Sequence, residues 1–282
     1  MSKTKERIRE SQLEYKHGLG QNFIYDEGLL AALVEASGVG PEDDVLEIGP
    51  GTGTLTRHLC AAVHRVLSLE LDERLIPLLR AFMESQPNFE AVQGDAMTAD
   101  LAALTEPLRK PFQVVSNIPY YITTPLIQRL LDSGLPLKSI ALMVQREVAD
   151  KILAQPGDPG WGPLAIRCQM RCEPRLAMPV PAACFTPVPK VDSAFVVMPL
   201  RQTPPVAPRS EKDFDRVVQA AFALRRKTLA NALMATLRLS REDAAALVET
   251  AQMPPLVRGE RLGLEEFARV ADAYTAWKEA HP

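Results

Sequence analysis

The chain has 282 residues and a net charge of −3, with 46% hydrophobic and 24% charged residues, proportions ordinary for a soluble globular protein. No run approaches the ~20 apolar residues that span a bilayer, and the length predicts about two domains. The acidic total weighs against nucleic acid as a partner, since that function usually leaves a basic footprint.

In chain order, strands and helices alternate from about residue 28 to 150, which predicts a parallel sheet covered on both faces. Val45-Leu46-Glu47-Ile48 is the first strand, ended by the glycine cluster Gly49-Pro50-Gly51-Thr52-Gly53. Leu55 to Val63 is the next helix, with Thr54 as its cap. Strands follow at Arg65 to Leu69, Glu90 to Gln93, Phe112 to Val115 and Ile140 to Val144. After the loop Pro156-Gly157-Asp158-Pro159-Gly160, strand-like runs lie around Ala165 to Cys172 and Ala194 to Met198. Gln202 to Pro208 reads as a linker, and the remainder is helical through Trp277 with a break at Pro254-Pro255. The expected organisation is an α/β domain over residues 1–201, including an N-terminal arm, and a small all-α domain over 202–282.

The first residues, Met1 to Arg7, are charged and lack an apolar segment, so they do not read as a secretory signal. Cys60, Cys168, Cys172 and Cys184 show no disulfide or zinc-ribbon spacing and read as reduced thiols. A cytoplasmic location and no metal are the expectations. Two basic patches soften the acidic total: Lys3 to Arg9, and Arg225-Arg226-Lys227 on a helical pattern with Phe222 and Leu229. Residues 201–282 hold 13 basic against 11 acidic side chains, the reverse of the rest of the chain.

Open parallel sheets bind ligands at the carboxyl ends of their strands, beside the switch in strand order. Here Gly49, Glu70, Asp95 and Asn117 follow the first four strands. The glycines let the backbone approach a ligand, Glu70 suits two ribose hydroxyls, and Asp95 suits the exocyclic amine of an adenine. Together they describe an adenosine pocket, which also fits a nicotinamide cofactor. Two details favour S-adenosylmethionine. Thr54 stands where the dinucleotide fingerprint has its third glycine, and Glu47 adds a carboxylate that suits an ammonium or sulfonium and repels a pyrophosphate. The segment Asn117-Ile118-Pro119-Tyr120-Tyr121 adds a side-chain amide, a rigid proline and an aromatic ring, equipment for holding an amino group on a nucleobase. No histidine has a partner that suggests a triad or metal site.

Taken together, Glu47 to Thr56, Gly94-Asp95-Ala96 and Asn117 to Ile122 resemble the bacterial small-subunit ribosomal RNA adenine dimethyltransferases. Gly20-Gln21-Asn22-Phe23, Phe185 to Ser193 and Arg225 to Leu229 agree in the same order along the chain. The resemblance implies a class I methyltransferase (Rossmann-like) sheet with one antiparallel strand, plus a C-terminal helical domain that contacts RNA or the ribosome. It implies a monomeric enzyme that uses S-adenosylmethionine to dimethylate N6 of two adjacent adenines near the 3′ end of 16S rRNA, on a small subunit or its precursor. Cofactor contacts would fall on Asn22, Ile24, Gly49, Glu70, Asp95 and Asn117; Ile24 stands where the family usually has leucine. Asn117 and the Ile118 carbonyl would accept the N6 hydrogens, Tyr120 would stack on the base, and Phe185 would close its other face. Tyr121 reads as a packing residue, and Arg225, Arg226 and Lys227 as phosphate contacts. The rival readings are a 23S rRNA adenine methyltransferase of the macrolide-resistance type and a non-catalytic assembly or transcription factor. The Arg225 to Leu229 block disfavours the first; the intact Glu70 and Asn117 to Tyr120 disfavour the second.

Overall fold

The structure, a computed structural model, describes Asn22–His281. The Lys3 to Arg9 patch and Gly20-Gln21 lie outside the described residues. The chain divides into two compact units. One takes the described residues through Ala149 and Glu173–Leu200; the other takes Asp150–Cys172 and the chain from Arg201 onward. The second unit thus gains a segment that the expected boundary at 201/202 leaves in the first.

In the first unit, β1 (Phe23–Ile24) pairs with β8 (Phe185–Thr186) as a small antiparallel ladder, Ile24 opposite Phe185. The main sheet contains β2 (Asp44–Ile48), β3 (Arg65–Glu70), β4 (Phe89–Gln93), β5 (Phe112–Asn117), β6 (Leu137–Gln145), β7 (Arg175–Val180) and β9 (Ser193–Pro199). Their order is β4-β3-β2-β5-β6-β9-β7. Only β9 runs against the others, being antiparallel to both β6 and β7. Five helices occur between the strands: α1 (Glu27–Ser37), α2 (Thr54–Ala62), α3 (Leu75–Phe82), α4 (Leu101–Leu104) and α5 (Thr123–Asp132). All five residues of β2 are buried, as are the first five of β5, the mark of strands covered on both faces. Leu30 and Leu33 of α1 and Leu55 and Leu59 of α2 pack with Val45, Val66 and Val115 of the sheet.

β2 and β5 pair only at Val45–Gln113 and Leu46–Val114. Nearer their carboxyl ends the Ile48 amide donates instead to Ser116 Oγ at 2.7 Å. The ladder therefore opens where the strand order reverses, which is where an open α/β sheet forms its crevice.

Helix α6 (Arg146–Leu153) carries the chain out of the first unit; the second contains α7 (Pro163–Arg171), α8 (Glu211–Ala223), α9 (Leu229–Leu237), α10 (Arg241–Thr250) and α11 (Leu264–Ala280). Ser210, Thr228 and Ser240 cap α8, α9 and α10, each accepting a backbone N–H three residues on. Helix α7 occupies the run expected as a strand at Ala165 to Cys172. Pro163 at its first turn and the buried Ala165, Ile166 and Cys168 on one face satisfy a helix, and a short apolar run alone does not distinguish the two. Strand β7 was not expected. It lies at the sheet edge, is largely exposed over Arg175 and Leu176 and contains Pro179, which an edge tolerates.

Trp161 is 1% exposed, packs with Phe214, Leu229 and Phe267, and donates its indole N–H to the Leu262 carbonyl at 2.9 Å. It thereby ties the 150–172 segment into the helical unit. Trp161→Ala should cost about 3–5 kcal/mol of that unit's stability. Urea unfolding followed by circular dichroism checks this, and an unchanged midpoint would contradict it.

Candidate active site

The loop after β2 passes through Gly49, Gly51 and Gly53 with φ of 68°, 59° and 77°, a region that favours glycine. A Cβ on Gly51 would lie 2.6 Å from a ring carbon of Phe23, so the loop and the β1 segment are in close contact. Gly53, not Thr54, caps α2, because its left-handed backbone turns the chain directly into the helix.

Glu70 ends β3 at 5% exposure. Its Oε2 accepts the Gly51 N–H at 3.0 Å and its Oε1 the Asp72 N–H at 2.8 Å. Each oxygen has a second lone pair, so the carboxylate can still accept two donors from the cavity. Burial raises its pKa, the Asp72 charge adds to the rise, and the amides of Asp72 and Gly51 oppose it. Asp95, after β4, accepts the Met97 N–H on Oδ1 at 2.8 Å. Arg129 of α5 donates to the carbonyls of Met97 and Ala99 and so braces the Asp95 loop.

At the end of β5, Asn117 Nδ2 donates to the Asn22 carbonyl at 3.0 Å. A carbonyl can only accept, so this bond sets the amide orientation and leaves Oδ1 as a free-standing acceptor. Tyr120 follows in a single 3₁₀ turn, Tyr120–Ile122, and its hydroxyl shares a hydrogen bond with Ser193 Oγ at 2.6 Å. Burial pushes this phenol's pKa up, against the Ser193 contact.

Asn22, Ile24, Gly49, Glu70, Asp95, Asn117 and Tyr120 all border one cavity. Phe185 does not. It is 1% exposed within the hydrophobic cluster that contains Ile24, Leu30 and Leu33, so its ring belongs to the core and offers no open face to a base. Tyr121 departs in the opposite sense: it is 56% exposed and lines the cavity rather than packing beneath the turn. Arg225, Arg226 and Lys227 stand in the second unit, exposed, in the turn between α8 and α9 rather than on a helix face; Arg225 donates to the Pro159 carbonyl at 3.0 Å. Two contributors went unread in the sequence. Arg129 acts through loop carbonyls and leaves no local motif, while Leu71, an apolar side chain 42% exposed beside Glu70, lines the cavity and suits a flat ring.

Glu47 also borders the cavity, but its carboxylate is committed to the protein. Oε2 accepts Thr56 Oγ1 at 2.7 Å and Ser68 Oγ at 2.8 Å, joining β2, β3 and α2. The thiols of Cys60 and Cys172 are pushed by burial up to about 12, which makes them poor nucleophiles.

A family model described as ribosomal RNA adenine dimethylase matches residues 12–274. The chain belongs to that family. It is 40% identical over 278 residues to ribosomal RNA small subunit methyltransferase A of Enterococcus faecalis, covering 96% of this chain and 94% of that one. It is 41% identical over 273 residues to the protein of the same name from Shouchella clausii, covering 94% and 92%. Among solved structures it is similar to a dimethyladenosine transferase from Plasmodium falciparum, with TM-score 0.75, 27% identity and coverage of 88% and 95%. It is also similar to the 23S rRNA methyltransferase ErmE, with TM-score 0.69, 28% identity and coverage of 89% and 98%. As a member of this family the chain is a ribosomal RNA adenine dimethyltransferase.

Burial dominates the titration of Glu47; the nearby Glu70 charge adds to it, the Thr56 and Ser68 hydroxyls oppose it, and the carboxyl rises from 4.5 to about 7. The folded chain therefore holds this proton more tightly than the unfolded chain. The stabilising contribution is complete below pH 4.5 and is lost as pH rises through about 7. Relative to Glu47→Gln, which cannot ionise, the wild-type chain should lose thermal stability between about pH 5 and pH 8. A Tm difference that stays constant over that range would contradict the assignment.

Proposed function

We propose that the cavity binds S-adenosylmethionine along the strand ends and presents Asn117 and Tyr120 to an adenine. Methyl groups then pass to N6 of two adjacent adenines near the 3′ end of 16S rRNA, during assembly of the small subunit. The observation that carries this reading is the convergence of the glycine loop, the buried Glu70, Asp95 and the oriented Asn117 amide on one cavity.

The residues suit the cofactor chemically. Gly49, at positive φ, borders the cavity with backbone alone, so a ligand there meets no side chain of the residue. Glu70 accepts two ribose hydroxyls, Asp95 accepts the amine of the cofactor's adenine, and Leu71 covers a face of that ring. When bound, S-adenosylmethionine supplies an electrophilic methyl on a positively charged sulfur.

The acceptor side needs positioning more than acid–base assistance. The N6 lone pair of adenine is delocalised into its ring. Asn117 Oδ1 and the Ile118 carbonyl accept the N6 hydrogens and draw that nitrogen toward a tetrahedral shape. With the donor bound, the lone pair would form the N–C bond as the C–S bond breaks, its electrons staying on sulfur, and the extra N6 proton would leave to solvent. Tyr120 stacks on the base, a contact worth about 1–3 kcal/mol. Its hydroxyl bond to Ser193 fixes the ring before the base arrives, so less order is lost on binding. Arg225, Arg226 and Lys227 serve phosphate groups elsewhere on the RNA.

The small subunit is favoured over the 23S acceptor because relatives at 37–41% identity carry the small-subunit name, whereas the likeness to ErmE rests on 28%. Unmethylated small subunits incubated with labelled S-adenosylmethionine should yield dimethyladenosine in their RNA by mass mapping. Unmethylated large subunits treated in parallel should stay unmodified, and dimethyladenosine in their RNA instead would overturn the reading. Glu70→Ala should weaken S-adenosylmethionine by about 1.5–3 kcal/mol in calorimetry, through loss of hydrogen bonds to a charged group. Unaltered affinity would remove Glu70 from the site. Tyr120→Ala should keep cofactor affinity and lose most methyl transfer, and full activity in that variant would refute the stack.

A further inference from the structure

Tyr121 is the exposed aromatic at the mouth of the cavity. Its ring is 56% exposed while it also lines the cavity that contains Asn117 and Tyr120. Two further apolar side chains stand open on the loop that leads into Ser193: Val188 at 66% and Val191 at 45% exposure. Lys190, between them, is exposed as well. This loop is held in place at its C-terminal end. Ser193 Oγ lies 2.6 Å from the Tyr120 hydroxyl, and Asp192 accepts the Ala182 N–H at 2.9 Å and, through its carbonyl, the Arg146 N–H at 3.0 Å. The loop that carries Val188, Lys190 and Val191 thus ends at the residue that holds Tyr120, one position before Tyr121.

We infer that Tyr121 is a platform for the nucleobase next to the target adenine, with Val188, Val191 and Lys190 bordering the same strand. The inference rests on the RNA reading above and deepens it. If two adjacent adenines are modified in turn, the one outside the pocket must be held clear of it, and a ring one residue from Tyr120 is placed to do so. Every base has a stacking face, so an aromatic platform serves whichever neighbour is outside. Lys190 suits the intervening phosphate, which favours a nucleic-acid strand over an apolar protein segment as the occupant. Tyr121 is a positioning residue here: it touches the neighbour and not the reacting nitrogen.

The test uses the full chain and small subunits reconstituted with unmethylated RNA, in which the nucleotide beside the monitored adenine is either intact or abasic. On intact RNA, Tyr121→Ala should lower kcat/KM by about 10- to 100-fold, the range of one base–aromatic stack, while Tyr121→Phe stays close to wild type. Calorimetry should show S-adenosylmethionine affinity unchanged in both variants, which excludes a collapsed site. On abasic RNA the wild-type rate should fall to that of Tyr121→Ala, and the substitution should have little further effect. Wild-type activity in Tyr121→Ala on intact RNA would overturn the inference. So would an equal loss on both RNAs, which would make Tyr121 a general packing or protein-contact residue. A wild-type chain that fails to methylate intact subunits would overturn the RNA reading itself, together with the platform, and that failure shows in the control before any variant is compared.

Discussion

Parallel strands in the order β4-β3-β2-β5 carry their carboxyl ends to one edge of the sheet, and everything the site does follows from that row. β2 lies between β3 and β5, and its ladder with β5 ends early, so the Ile48 amide turns to Ser116 and the two strands part. A glycine loop, a carboxylate, an aspartate and an amide emerge at successive strand ends on either side of that opening. Residues as distant in sequence as Gly49 and Asn117 therefore become neighbours around one cavity without any special local conformation beyond the positive φ of the glycines.

Hydrogen bonds then convert placement into orientation. Glu70 is gripped by two backbone amides, Glu47 joins two strands to a helix through hydroxyls, and Asn117 is turned by the Asn22 carbonyl so that its oxygen is available. Two buried carboxyls beside one glycine loop are costly when ionised, which burial registers in the raised pKa of both. At Glu70, whose oxygens keep lone pairs toward the cavity, a cationic ligand offsets that cost in a way that a pyrophosphate would not.

The sheet and most of the cavity were legible in the sequence because buried strands read as apolar runs and each useful side chain sits just beyond one. The glycine cluster, Glu70, Asp95 and Asn117 needed only that rule. Features that depend on distant partners were not legible. Phe185 has the composition of a base-stacking residue, yet its pairing across from Ile24 places the ring in the core. Tyr121 has the composition of a packing residue, yet the short 3₁₀ turn leaves it exposed. Ala165 to Cys172 is apolar enough for a strand; Pro163 at its start is the local helix signal, and the burial of Ala165 and Ile166 with Trp161 in the helical core completes it. Arg129 leaves no motif because its contacts are to backbone carbonyls.

The central claim is that the strand-end row works by holding the Asn117 amide with its oxygen toward the acceptor base. Asn117→Asp tests this most directly, since it keeps an acceptor and the side-chain shape but replaces the donor to Asn22 with a charged oxygen that the carbonyl repels. The measurement is single-turnover methyl transfer to unmethylated small subunits at saturating S-adenosylmethionine. The account predicts a rate reduced by roughly 100-fold or more, of the order seen when a positioning hydrogen bond is lost. A rate equal to wild type would show that the amide orientation does not govern the reaction and would contradict the account.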